Sequence, residues 1–222
     1  NRHAHDHDAD GGHAPHQRIQ EDMALPNYGK RILAIRELLV DKGLVDKDDV
    51  RAKVDAMDAR SPADGARVVA RAWTNPGFKR RLLDSPKAAV AELGYSRPQD
   101  PELAVLENTE QKHHLVVCTL CSCYPISLLG RPPDWYKSLA YRSRAVTDPR
   151  GVMREFGLEL DDDVEVRVVD STADLRYLIL PRRPAGTENL SQEELAGLVT
   201  RDSMIGVAHP HSPATAAAQP LL

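Results

Sequence analysis

Cysteine is scarce in this sequence, which has only three among its 222 residues. All three lie within residues 117–125, so none remains to crosslink another part of the chain. The C-x-x-C-x-C spacing is too tight for an ordinary disulfide framework, and an odd count leaves one sulfur unpaired. A metal site with soft sulfur ligands therefore explains the cluster better than disulfide bonds do.

Long apolar runs and a strong excess of one charge are also missing. No hydrophobic stretch approaches the length that a membrane-spanning helix needs, and no signal-peptide pattern is visible. The formal net charge is only -4, with acidic and basic residues interspersed, which argues against nucleic-acid binding. Clustered, reduced cysteines suit a cytoplasmic protein better than a secreted one. We therefore expect a soluble cytoplasmic protein without nucleic-acid or membrane partners.

Residues 118–123, which we call the claw loop, offer a planar set of metal donors. One ion could take the sulfurs of Cys121 and Cys123 and the backbone nitrogens of Ser122 and Cys123, because successive five- and six-membered rings join these donors. Cys118 could then reach an axial position and leave a sixth position open. An amide nitrogen binds only after losing its proton, so the ion must be strongly acidic, as low-spin trivalent cobalt or iron is.

Zinc is the alternative metal for this cluster. A tetrahedral zinc site requires a fourth Cys or His at a suitable distance. His113 and His114 are nearby, but a strand-like run separates them from the claw loop. A zinc-bound interaction module without catalysis is therefore the rival hypothesis from another class of protein.

Residues 118–125 read Cys-Thr-Leu-Cys-Ser-Cys-Tyr-Pro and resemble the metal-binding claw of the nitrile hydratase alpha subunit, which the gamma subunit of thiocyanate hydrolase shares. Thr119 matches the cobalt type, since the iron type usually has Ser there. Further blocks resemble the same family in the same order: residues 68–73, 107–109, 132–136, 141–144, 182–187 and 199–207. The resemblance predicts a cobalt-type nitrile hydratase alpha subunit, with the gamma subunit of thiocyanate hydrolase as the nearest alternative.

The resemblance implies the chemistry of the claw loop. Cys121 is expected as a sulfinate, Cys123 as a sulfenate and Cys118 as a thiolate around cobalt(III), with iron(III) as the alternative ion. Oxygen on sulfur weakens its electron donation and leaves the ion a stronger Lewis acid. A nitrile would bind at the open position and become an amide, attacked by the Cys123 sulfenate or by a water that it activates. Ser122 is expected to support the site through its hydroxyl as well as its backbone nitrogen.

A partner subunit is implied as well. The oxygenated sulfurs place negative charge in a buried site, and no Arg or Lys lies in the loop before Arg131. The resemblance implies that a beta subunit supplies compensating arginines, in a heterodimer or heterotetramer. A metal-insertion chaperone is a further possible partner. We do not expect the chain to be active alone.

Outside the claw loop, the resemblance points to five residues near the substrate or behind the metal. Gln99 is expected to line the substrate channel, with ordinary surface as the alternative. Asp170, Asp174 and Arg176 are expected to form a supporting network, with a solvated turn as the alternative, and Asp174 replaces a more usual Glu. Ile126 stands where the family commonly has Trp, and thiocyanate hydrolase has Arg, so we expect an altered nitrile preference.

The pattern of apolar residues predicts the fold class α+β. Tyr28, Ile32, Ile35 and Leu39 form one stripe of a helix, and Asp46 can cap the next helix. Short apolar or alternating runs predict strands at residues 103–107, 115–117, 164–168 and 177–180. We expect an N-terminal helical arm that lies across a partner subunit. A compact mixed α/β domain of the layered αββα type should follow and carry the claw loop.

The chain is expected to divide into four parts. Residues 1–26 read as a disordered His-rich tail and residues 27–94 as the helical arm. Residues 95–208 form the predicted metal-binding catalytic domain, and residues 209–222 a flexible tail.

Overall fold

The computed structural model describes residues 27–96 and 99–213, and no helix within them is long and apolar enough to cross a membrane. The predicted His-rich tail and most of the predicted C-terminal tail lie outside these residues. The helices are α1 (Asn27–Asp41), α2 (Lys47–Asp58), α3 (Pro62–Thr74), α4 (Pro76–Asp84), α5 (Pro86–Ala91), α6 (Ile126–Leu129), α7 (Asp134–Lys137), α8 (Leu139–Thr147), α9 (Pro149–Glu155), α10 (Gln192–Leu198) and α11 (Arg201–Ile205). The strands are β1 (Glu102–Glu107), β2 (Lys112–Val117), β3 (Glu165–Asp170) and β4 (Leu175–Leu180).

Helices α1 and α2, which we call the N-terminal helix pair, contain no buried residue. The apolar stripe predicted for α1 is present, but Tyr28, Ile32 and Ile35 are 74%, 49% and 53% exposed. Asp46 caps α2 as predicted, accepting hydrogen bonds from the backbone N–H groups of Asp48 and Asp49. The pair therefore carries an apolar face that the other described residues leave exposed.

We call the described residues that follow the N-terminal helix pair the compact part, and helices α3 to α5 pack into its core. Val68 and Val69 on α3 are fully buried, as are Phe78 and Leu82 on α4. Trp73 also turns inward, and its indole N–H donates to the carbonyl of Pro181 over 2.8 Å. The division at residue 94 stays a prediction, since these three helices pack with residues on both sides of it.

Two parallel strand pairs form the centre of the compact part: β1 pairs with β4, and β2 pairs with β3. All four strands were expected, but β2 begins three residues earlier than predicted, at Lys112. Its extra residues include His113 and His114, which are buried and polar and therefore gave no apolar signal. The register sets Val117 opposite Asp170. The claw loop thus begins where β2 ends, next to the end of β3.

Candidate metal centre

The three cysteines of the claw loop converge on one point. The Cys121 Sγ atom lies 3.4 Å from Cys118 Sγ and 3.2 Å from Cys123 Sγ. All three sulfurs lie within 4.8 Å of one another, a distance that no other trio of potential metal ligands meets within the described residues. Cys118 and Cys123 are buried, whereas Cys121 is exposed. The structure therefore brings the three predicted sulfur ligands together, open to solvent on the side of Cys121.

The distances between the sulfurs fit a six-coordinate ion better than zinc. Two sulfurs bound at about 2.3 Å to one ion lie about 3.3 Å apart at a right angle, but about 3.8 Å apart at the tetrahedral angle. The two measured distances, 3.4 and 3.2 Å, match the right angle. His113 and His114 are turned to other partners, Asn108 and the carbonyl of Gly206. The residues present thus fit trivalent cobalt or iron.

Hydrogen bonds among the thiols of the claw loop shift the pKa values of Cys121 and Cys123 in opposite directions. Hydrogen bonds from the Cys123 and Cys118 thiols, and then from the backbone N–H groups of Ser122 and Cys123, lower the pKa of Cys121. Burial raises the pKa of Cys123 to about 12, and its hydrogen bond with Cys121 acts in the same direction. The pKa of Cys121 is therefore lowered while that of Cys123 is raised, and the backbone N–H groups of Ser122 and Cys123 face the Cys121 sulfur.

Asp170 holds the first turn of the claw loop. Its carboxylate accepts one hydrogen bond from the backbone N–H of Thr119 over 3.0 Å and another from the Thr119 hydroxyl over 2.5 Å. The parallel register makes this contact possible, because Asp170 lies opposite Val117 at the end of β3. Asp170 therefore contacts the claw loop directly at Thr119, the residue that matches the cobalt type of the family.

Three further side chains bind the backbone around the claw loop, and sequence reasoning assigned none of them a role. Arg142 donates from Nε to the carbonyl of Cys118 over 3.1 Å and from Nη2 to the carbonyl of Thr119 over 2.6 Å. The hydroxyl of Tyr136 donates to the carbonyl of Cys123 over 2.9 Å. The hydroxyl of Tyr141 donates to the carbonyl of Val116 over 2.6 Å. All three lie in blocks that resembled the family, but spacing alone did not say what they contact.

A cavity of about 230 Å³ lies beside the claw loop. Its walls include Tyr124 and Ile126 from the segment after the cysteines, Arg176 from β4, and Met57 and Arg60 from the end of α2 and the turn that follows. Ile126 therefore lies where a change of side chain would alter the shape of a cavity. Arg176 also links this cavity to the cysteines, because its charge lowers the pKa of Cys123, against the larger effect of burial.

Two of the predicted residues lie outside this arrangement. Gln99 is exposed, although its neighbour Asp100 lines the cavity. Asp174 is exposed in the turn between β3 and β4, where its carbonyl oxygen accepts a hydrogen bond from the backbone N–H of Glu102 over 2.8 Å. The structure therefore gathers Asp170 and Arg176 near the cysteines but does not bring Gln99 or Asp174 into contact with them.

The fold and the site define an α+β protein in which a loop after a buried strand presents three thiols to one metal ion. The chain belongs to the nitrile hydratase alpha-chain family, whose family model, "Nitrile hydratase, alpha chain", matches residues 27–208. This confirms both the resemblance seen in the claw loop and the predicted fold class.

Characterised relatives share most of their length with this chain. The low-molecular weight cobalt-containing nitrile hydratase subunit alpha of Rhodococcus rhodochrous is 54% identical, covering 90% of this chain and 99% of the relative. The thiocyanate hydrolase subunit gamma of Thiobacillus thioparus is 41% identical, covering 80% of this chain and 78% of the relative. Among solved structures, a double mutant of the Fe-type nitrile hydratase from Comamonas testosteroni Ni1 superposes with a TM-score of 0.78 at 43% identity, covering 87% and 94% of the two chains.

Proposed function

We propose that this chain is the alpha subunit of a cobalt-type nitrile hydratase, which hydrates small nitriles to amides and is active only with a beta subunit. The observation that carries the proposal is the spacing of the three sulfurs, 3.4 and 3.2 Å, which suits right-angle ligation by a trivalent ion. Relatives named as cobalt-containing, and Thr119 in the claw loop, favour cobalt over iron.

The ligands proposed are the sulfurs of Cys118, Cys121 and Cys123 and the backbone nitrogens of Ser122 and Cys123. Bound there, the ion would supply Lewis acidity that makes a nitrile carbon easier to attack. Oxidation of a cysteine follows its thiolate character and its exposure. Cys121 is exposed and has a lowered pKa, which supports its proposed sulfinate state. Cys118 is 1% exposed, in keeping with an unmodified thiolate.

The catalytic roles are proposed for Cys121, Ser122 and Cys123. The sulfenate oxygen of Cys123 would attack the nitrile carbon or remove a proton from the water that does. The hydroxyl of Tyr136 donates a hydrogen bond to the carbonyl of Cys123, and this bond fixes the orientation of the Cys123 backbone. The Ser122 hydroxyl lies in the same half-buried turn and would support the oxygenated sulfurs.

The substrate is proposed to approach through the cavity beside the claw loop. Its volume of about 230 Å³ is below the roughly 300–1,000 Å³ typical of pockets for drug-sized ligands, which favours small nitriles. Ile126 forms part of its wall, and Arg176 carries positive charge towards Cys123. Gln99 and Asp174 keep their proposed roles in the channel and the supporting network only if the assembled enzyme brings them closer.

The partner surface is proposed to include the N-terminal helix pair and the rim of the claw loop. Leu120, within the claw loop, is 87% exposed, and Leu139 at the start of α8 is 77% exposed. Exposed apolar side chains around a site mark a surface that another chain covers. The beta subunit of a heterodimer or heterotetramer is the occupant we propose. Because the claw cysteines must be reduced when the metal binds, we place the enzyme in the cytoplasm.

Mass spectrometry of the peptide that contains the claw loop tests the proposal most directly. The chain would be co-expressed with its beta subunit in medium containing cobalt, and a nitrile would be supplied to the purified complex. We expect two oxygens on Cys121, one on Cys123, bound cobalt and amide formation. Zinc bound to three unmodified cysteines would contradict the proposal and favour an interaction module.

Hydrolysis of thiocyanate is the second candidate function. The identity of 41% with a thiocyanate hydrolase gamma subunit, together with the absence of a Trp at position 126, keeps this reaction open. The same purified complex should be supplied with thiocyanate and tested for release of carbonyl sulfide. Carbonyl sulfide without amide formation from nitriles would favour this second function over the first.

A further inference from the structure

The claw loop is irregular, so its backbone polar groups cannot pair in a helix or a strand ladder. Neither a helix nor a strand is present between the end of β2 at Val117 and the start of α6 at Ile126. Backbone carbonyls in such a segment must find side-chain partners or water if they are to be buried without a loss of stability. The side chains that take this role therefore determine which shape the loop adopts.

Arg142 binds two consecutive carbonyl groups of this loop at once. Its Nε donates to the carbonyl of Cys118 over 3.1 Å, and its Nη2 donates to the carbonyl of Thr119 over 2.6 Å. The guanidinium group is planar and presents its N–H donors at fixed spacing, so a double contact fixes the relative orientation of both peptides. A lysine ammonium has three donors, but they rotate freely and would not fix the relative orientation of the two peptides.

The helix that carries Arg142 is itself firmly placed. The side chain of Ser138 caps the start of α8 through the backbone N–H of Tyr141. The Tyr141 hydroxyl bonds to the carbonyl of Val116 in β2, and its ring packs edge-on against Trp135, with centroids 4.9 Å apart. Arg142 therefore extends from a helix anchored on the same strand that delivers Cys118.

The charge of Arg142 also suits this position. No Arg or Lys occurs in residues 117–130, while the claw loop gathers three thiols beside the Asp170 carboxylate. Arg142 is half-buried against the loop and supplies one positive charge from within the chain.

We propose that Arg142 is a positioning residue that sets the claw loop in its metal-binding shape before the metal arrives. By holding the peptides of Cys118 and Thr119, it keeps the Cys118 sulfur beside the Cys121 sulfur. The identity of the ion rests on the proposed function, but the positioning itself does not.

Arg144 provides a matched control on the same helix. Its guanidinium pairs with Glu155 over 2.5 Å and with Asp148 over 3.7 Å, contacts that lie away from the claw loop. The variants Arg142→Lys and Arg142→Gln can therefore be compared with Arg144→Lys and Arg144→Gln. At both positions the Lys variant keeps the positive charge and the Gln variant removes it, so the two sites are compared with the same chemical changes on α8.

The first test uses the assembled complex expressed without added cobalt. The thiols are alkylated with iodoacetamide, and the modified peptides are quantified by mass spectrometry. Cys118 is 1% exposed, so it should react slowly as long as the loop keeps its shape. The quantity compared is the alkylation rate of Cys118 divided by that of Cys121, which is exposed in this chain. We expect this ratio to rise about tenfold in both Arg142 variants and to stay unchanged in both Arg144 variants. Equal ratios in all four variants would overturn the proposal.

The second test uses the cobalt-loaded complex and measures cobalt content, the sulfur-to-cobalt absorption band and nitrile hydration. We expect Arg142→Lys to fold normally, to bind cobalt about 10- to 100-fold more weakly and to lower kcat more than it changes KM. An unchanged cobalt affinity and absorption band would overturn the proposal, even if Arg142→Gln failed to fold. Zinc in the wild-type complex would contradict the proposed function. The alkylation ratio would still test the role of Arg142, because that test does not depend on which metal binds.

Discussion

No residue of the N-terminal helix pair is buried, whereas two of the three cysteines in the claw loop are. The features that mark the helix pair are local in sequence: α1 has helical periodicity, and Asp46 caps α2. The claw loop has no regular structure, and side chains from β3, α7 and α8 hold its backbone. The helix pair is therefore encoded locally but buries no side chain against the other described residues, while the claw loop depends on contacts with distant parts of the chain.

Removing one ligand should give the largest effect, and it acts on the claw loop alone. In the assembled enzyme, Cys118→Ser removes a soft ligand but keeps a side chain of similar size, so we expect cobalt content and nitrile hydration to fall to background. Thermal unfolding should show that the compact part still folds. Ser143→Ala, an exposed position on α8, is the control. Full cobalt content in Cys118→Ser would mean that the axial ligand has been misassigned.

Placing charges on the apolar face of the helix pair should weaken assembly and leave folding nearly unchanged. The double variant Ile32→Lys and Ile35→Lys should barely change the folding of the chain, because substitutions of exposed residues usually shift stability by no more than about 0.5 kcal/mol. Assembly with the beta subunit should weaken by about 100-fold if the two residues act as apolar anchors. Co-purification with a tagged beta subunit measures this effect.

A core substitution and a surface substitution complete the test of the helix pair. Leu115→Ala removes a fully buried side chain of β2 and should cost about 2–5 kcal/mol of unfolding free energy, which a denaturant titration measures. Lys30→Gln on α1 should change neither folding nor assembly. If the Ile32 and Ile35 double variant assembled as well as Lys30→Gln, the helix pair would not be the partner surface.

Whether a contact in the site could be predicted from the sequence depends on how far apart its residues lie along the chain. The convergence of the three sulfurs could be predicted because the cysteines lie within six consecutive residues. The contacts of Arg142 and Asp170 with the claw loop span 24 and 51 residues, so they depend on packing and on the parallel register. No local pattern contains that information.

The fold divides in the same way. The cap of α2 was predicted from Asp46, and the hydrogen bonds that form this cap reach no further than three residues along the chain. The start of β2 was missed because His113 and His114 are polar, and their burial becomes tolerable only through Asn108 and Gly206, which bond to them. Long-range hydrogen bonding decided where this strand begins.

His113 should make the compact part sensitive to acid. Burial lowers its pKa to about 4, and the nearby charges of His209, His114 and Arg150 act in the same direction, against the hydrogen bond to the Gly206 carbonyl. The unfolded chain binds this proton near the ordinary pKa of about 6.5, so the stabilising contribution is complete above pH 6.5 and is lost as the pH falls towards 4.

We expect this acid effect to reach about 2–3 kcal/mol at pH 4.5, measured by denaturant unfolding at pH 7 and pH 4.5. In His113→Gln, which keeps a polar side chain but cannot take up a proton, the loss between the two pH values should be smaller by that amount. Identical losses in the wild type and the variant would show that His113 does not carry the acid sensitivity.

Ile126→Trp should give the smallest effect, and it probes a cavity that residues from both sides line. The cavity of about 230 Å³ is bounded by Ile126 on the claw side and by Met57 on the side of the helix pair. In so small a space the larger Trp side chain should exclude bulky substrates. We expect kcat/KM for aromatic nitriles to fall about tenfold relative to that for small aliphatic nitriles. Ile126→Leu conserves volume and should leave the ratio unchanged, so an unchanged ratio in Ile126→Trp as well would mean that substrate does not pass through this cavity.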